Sequence, residues 1–168
     1  FPYQTLSKAN RLTYDILQLY LQNQLSGQKF ALYAEPLGPT IGTQAQLPVL
    51  LAEYAFRNKA DIETYLTLLT EMDEYYSTLV HFEEAKSREG LFMSASAAQA
   101  VIDQCNAFIR EPSKNFLITV FAEKIEEADF LTQVEKKHFL EQNEKAVLEH
   151  VIPAYQLLIR GLTALKNT

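Results

Sequence analysis

Between Ile62 and Val80 the apolar side chains return every three or four positions, at Ile62, Tyr65, Leu66, Leu69, Met72, Tyr76, Leu79 and Val80. This is the 3.6-residue period of a helix with one buried face. No convincing run of the period-two alternation of a half-buried strand occurs in the chain. The spacing therefore predicts an all-α fold, an antiparallel bundle of five or six helices with one long ordered loop containing proline and glycine.

The central helix is expected from Asn58, a suitable N-cap, through Phe82 to about Arg88, with Gly90 as its stop. At ~1.5 Å per residue it would be about 45 Å long. A first helix is expected over Gln4–Leu25, with Leu6, Ala9, Thr13, Ile16, Leu17 and Tyr20 on one face and Gly27 as a left-handed cap. Gln28 to Pro48 holds Pro36, Pro39, Gly38 and Gly42, which break a long helix. Its apolar residues Phe30, Leu32, Tyr33, Leu37, Ile41 and Leu47 predict an ordered, packed loop, with Pro48 in the first turn of a short helix ending near Tyr54.

Ser94 opens a helix whose stripe is Ala98, Val101, Ile102, Cys105, Phe108 and Ile109, and Pro112 ends it. A shorter helix follows from about Ser113–Asn115, with Leu117, Val120, Phe121 and Ile125 inward. The last helix begins with the capping box Thr132-Gln133-Val134-Glu135 and runs to about Leu165. Glu141 and Lys145 are placed to pair at i,i+4. Pro153 lies inside the pattern, removes one backbone bond and crowds the Glu149 carbonyl, so a kink is expected there.

A length of 168 residues suits a single helical domain spanning 1–168. The net charge of −6 argues against a nucleic-acid partner, because such binding rests on lysine and arginine neutralising phosphates. Cys105 is the single cysteine, which excludes a disulfide and a cysteine-based zinc site. No apolar run approaches the ~20 residues of a transmembrane helix. The chain begins at Phe1-Pro2 without a methionine and ends at Lys166-Asn167-Thr168 directly behind a helix. It reads as a fragment of something longer.

No reaction is legible in these residues. His81, His138 and His150 are the only histidines, and none begins a His-Glu-x-x-His sequence. Glu135-x-x-His138 has the spacing of a di-iron half-site but occurs once, and Glu135 is claimed by the capping box. His81 with Glu84 makes an incomplete ligand pair, and Cys105 on an apolar stripe reads as a small buried hydrophobe. Ser94-Ala95-Ser96 reads as a helix start, with no Gly-x-Ser-x-Gly elbow, and no glycine cluster could cradle phosphate. The neighbouring acids Glu83-Glu84 and Glu126-Glu127 read as solvated surface. Tyr33, Tyr54, Phe56, Tyr75 and Tyr76 fit aromatic core packing better than a ligand groove.

Four runs carry a resemblance: Leu47–Phe56, Asp61–Leu66, Gly90–Ser94 and Val147–Tyr155. Together they resemble the N-terminal half of the bacterial family called domain of unknown function 885. The likeness extends from about Tyr14 to the end and rests on a distributed pattern. Members of that family are longer, largely helical, often secreted or lipid-anchored, and similar to zincin-type metallopeptidases with a zinc motif in the C-terminal half. No residue of this chain matches that motif, so the resemblance implies no catalytic, cofactor-binding or metal residue here. It implies zinc in a missing C-terminal half, with that half and a peptide substrate as partners. It further implies an extracellular or cell-envelope location, and a non-catalytic helical part that shapes a substrate cleft. Tyr33, Glu149, His150 and Tyr155 are the candidates for lining it. The competing expectation is a stand-alone helical module that offers a groove to a protein or peptide.

Overall fold

The computed structural model describes residues 2–166, and all the regular structure among them is helical. Asn167 and Thr168, most of the tail expected behind the last helix, lie outside the described residues. The contacts divide the chain into two compact units, residues 1–34 and 35–168.

In the first unit, helix α1 spans Lys8–Gly27, capped by the Ser7 side chain, which accepts from the Asn10 N–H. Gly27 is not a left-handed cap: its φ of −74° keeps it right-handed, and the chain passes directly into a 3-10 segment, Gln28–Tyr33. Tyr3 holds the start of α1, donating to Asp15 Oδ2 at 2.9 Å and packing edge-on against Tyr14.

The second unit contains α2 (Thr43–Glu53), α3 (Lys59–Thr70), α4 (Met72–Arg88), α5 (Ala95–Phe108), α6 (Phe116–Glu127), α7 (Gln133–Ala146) and α8 (Ile152–Leu165). Helix α8 is central, packing on both α4 and α5, while α6 lies against α7 and α2 against α5 and α6. Val101, Cys105, Leu117, Ile125, Val147, Val151, Tyr155 and Leu158 are wholly buried. Gly161 lets α4 and α8 approach closely, since a Cβ there would stand 2.7 Å from Val80 Cγ1. Tyr65 stacks on Phe121 with Phe56 edge-on to both, so part of the expected aromatic core forms. Of the apolar residues in the expected loop, Leu37 is buried in the core and Leu47 packs against it, while Ile41 is exposed.

The single long helix expected over 58–88 is two. Thr64, Thr67 and Thr70 turn their hydroxyls back onto the carbonyls of Ala60, Glu63 and Thr67 at 2.8, 2.9 and 2.8 Å. Such back-bonding bends a helix, and regularity fails at Glu71 (φ −82°, ψ −6°). The far end follows expectation: Gly90 has φ 70°, and the Leu91 and Gly90 N–H groups return to the Lys86 and Ser87 carbonyls in a Schellman cap.

Pro48 sits in the middle of α2 rather than in its first turn, because the helix begins earlier, at Thr43. Its missing N–H leaves the Gln44 carbonyl without the usual donor four residues on. The Tyr155 hydroxyl supplies one at 2.6 Å, from 111 residues away. Lysines close other helix ends: Lys124 donates to the carbonyls of Ala52 and Tyr54, and Lys136 to that of Glu126. Glu141 pairs with Lys137 at 3.9 Å, and Lys145 with Glu149 at 3.9 Å, in place of the Glu141–Lys145 pair.

Asn115 links two helix ends. Its Oδ1 accepts from the Leu117 N–H at the start of α6, and its Nδ2 donates to the Phe108 carbonyl at the end of α5. The residue is buried, so Asn115→Ala should cost about 2 kcal/mol in urea unfolding. A loss below about 0.5 kcal/mol would show that water replaces both bonds.

Candidate functional site

The residues Val147-Leu148-Glu149-His150-Val151 stand just before Ile152-Pro153. In a regular α-helix the Pro153 ring would press on the Glu149 carbonyl. The chain instead widens into a π-helical turn over Val147–Val151, in which the Ile152 N–H donates to the Val147 carbonyl. The disturbance expected at Pro153 therefore takes the form of a change in ladder, and α7, the π turn and α8 follow one another without a break. Isolated π turns occur often at functional sites, because they re-aim the side chains they carry.

His150 is on this turn. Its Nδ1 lies 2.6 Å from Asp73 Oδ2, in the first turn of α4. With Nδ1–H donating to the carboxylate, the ring orientation is fixed. His150 and Glu149 line a groove of about 450 Å³, opposite Glu63, Thr67 and Thr70 and beside Lys145. The Thr67 and Thr70 hydroxyls are spent on their own helix, so they offer no nucleophile. The groove can orient and hydrogen-bond a ligand. Among the described residues no three His, Cys, Asp or Glu side chains lie close enough to hold a metal ion.

Of the four expected cleft residues, only Glu149 and His150 share this groove. Tyr155 is wholly buried, its hydroxyl engaged by the Gln44 carbonyl and its ring 4.5 Å from that of Phe108 and 4.9 Å from that of Tyr76. Tyr33 belongs to the first unit and is exposed beside Phe30. His138 is exposed, and Glu135 closes the capping box while pairing with Lys59. That ion pair, with the Thr132 N–H and hydroxyl, holds the Glu135 carboxyl down to about 2. Cys105 is buried, which pushes its thiol up to about 12, far from a nucleophile's range.

One polar cluster contradicts its sequence reading. Glu83 is not solvated surface: it and Lys86 are wholly buried. The Lys86 ammonium lies 2.9 Å from Glu35 and 3.9 Å from Glu83, while neither carboxylate oxygen of Glu83 has a hydrogen bond. Burial pushes the Glu83 carboxyl up to about 7, partly opposed by Lys86. The signal was present, since Glu83 continues the inward Tyr76, Leu79, Val80 stripe at i+7, i+4 and i+3.

A second groove, of about 610 Å³, lies between α2 on one side and α4 with the end of α3 on the other. Leu47, Leu51, Leu68, Met72 and Tyr75 make its apolar lining, with Glu71, Glu74 and Thr78 beside them.

The described helices include none long and apolar enough to cross a membrane. No functionally curated protein matches the chain. In fold it is similar to a crystal structure from Colwellia psychrerythraea described as "the putative lipoprotein", with a TM-score of 0.76 and 22% identity. That likeness covers 79% of this chain but 23% of the other, so the chain spans about a quarter of the length of that protein. The family model described as "Bacterial protein of unknown function (DUF885)" matches residues 1–168, and the chain therefore belongs to that family.

Proposed function

We propose that this chain is the non-catalytic helical part of a longer, metallopeptidase-like protein of the cell envelope, and that it shapes a substrate cleft. The observation that carries the reading is helix α1. Leu12, Ile16, Leu17, Leu19, Tyr20, Leu21 and Leu25 are each 53–64% exposed, and no residue of the helix is buried. At 100° per residue these seven spread over about 240° of the helix, with Asn10, Thr13, Asn23 and Gln24 interspersed among them. Seven large apolar side chains exposed on one helix call for a cover in a larger body. The remainder of the longer protein is its cover, and the zinc and the catalytic groups lie in that remainder. The π-turn groove, with His150 held by Asp73, is this chain's contribution to the cleft, and the description of the Colwellia protein as a lipoprotein supports the envelope location.

Hydrogen exchange compares the chain alone with the full-length product of its gene. Amide protection over 8–27 should rise by at least about tenfold in the longer protein, because α1 then gains its cover. The longer protein should bind zinc and hydrolyse peptides, and the chain alone should do neither. Unchanged protection of α1, or a gene that ends at Thr168, refutes the assignment as a part. A zinc-free, inactive full-length protein refutes the peptidase half of the reading.

A further inference from the structure

The groove between α2 and α4 has no role in that reading. Helix α2 rests on α5 and α6, and α4 rests mainly on α8, so the slot between them is bordered by two helices anchored elsewhere. Its floor is made by Leu51 and Met72, both buried, with Leu47, Leu68 and Tyr75 as walls. Every charged residue lining the groove is acidic: Glu71, at the break between α3 and α4, and Glu74, on the first turn of α4. The interruption at Glu71 between α3 and α4 leaves this carboxylate beside the apolar floor.

We infer that this groove is a docking site for an apolar helical segment flanked by lysine or arginine. The lining calls for apolar anchors at i, i+3 or i+4 and i+7, the usual mode by which a groove between helices takes a helix. The unopposed Glu71 and Glu74 select the charge of the flanks, since complementary charge at the edge of an interface sets partner choice. Neither His150 nor the cover of α1 enters this argument, so the inference stands or falls apart from the cleft reading.

The test uses two labelled helical peptides with the same leucine stripe, one with lysine flanks and one with glutamate flanks. Binding to the 168-residue chain is followed by fluorescence anisotropy and by amide shifts in NMR. The lysine peptide should bind at least about tenfold more tightly at low salt, with shifts at Leu47, Leu68 and Tyr75. Glu71→Gln with Glu74→Gln should bring the two affinities within about twofold, and Leu68→Asp should abolish binding. Tyr75→Ala, at an exposed position, should weaken binding and leave the unfolding curve in place, which separates loss of the site from loss of the fold. Equal affinity for the two peptides, or binding indifferent to Leu68→Asp and Tyr75→Ala, overturns the proposal. A dimer in sedimentation that Leu68→Asp disperses also overturns it, by giving the groove to a second copy.

Discussion

Replacing Tyr155 by phenylalanine should destabilise the chain by about 2 kcal/mol, although it removes one oxygen atom from a core residue. The reason lies in α2. Pro48 offers no N–H to the Gln44 carbonyl, and the Tyr155 hydroxyl takes that place at 2.6 Å. Both residues are buried, so water cannot replace the lost donor without opening the packing between α2, α5 and α8. Burial also holds the hydroxyl well above the usual tyrosine range, so it remains a donor at any working pH. The mechanism predicts its own rescue. Pro48→Ala restores an N–H one turn after Gln44, and in that background Tyr155→Phe should cost about half as much. Urea unfolding of the four proteins measures the coupling. If the cost of Tyr155→Phe agrees in the two backgrounds within about 0.4 kcal/mol, the hydroxyl does not substitute for the missing N–H.

The second large effect is that of Glu83→Gln on the pH dependence of stability. Burial raises this carboxyl from 4.5 to about 7 in the folded chain, with Glu35 raising it and Lys86 lowering it. The folded state therefore holds a proton that the unfolded state has released. The group's contribution is fully present below about pH 4.5 and is lost as pH rises through about 7, a change on the order of 3 kcal/mol. Glutamine keeps the shape of the protonated acid and does not ionise. Glu83→Gln should match the parent near pH 4 and exceed it by about 3 kcal/mol at pH 8. Parallel stability profiles for the two proteins from pH 4 to 8 would show that Glu83 stays ionised throughout, held by Lys86.

Local features were legible because their causes are local. The capping box at Thr132 and Glu135, the Ser94 and Asn58 caps and the Gly90 stop each depend on a few neighbouring residues, and each formed. The same local view joined α3 to α4, because apolar spacing continues through Glu71 although the helix is interrupted there. It set Glu83 on the surface by judging a charge by its type rather than by its place on the stripe. It placed Pro48 in a first turn because the distant donor that permits a proline in mid-helix cannot be read from the flanking residues.

The sequence by itself determined the helical class, most helix ends and the stripes that became the core, since these follow from the 3.6-residue period and from backbone groups satisfied within a turn or two. Only the tertiary structure decided that His150 meets Asp73 across 77 residues, that the Tyr155 hydroxyl donates to the Gln44 carbonyl of α2, and that Glu83 is buried beside Lys86. It also decided that α4 covers its apolar stripe with α8. Periodicity states that a face must be covered. What covers it is fixed by packing between segments far apart in the chain.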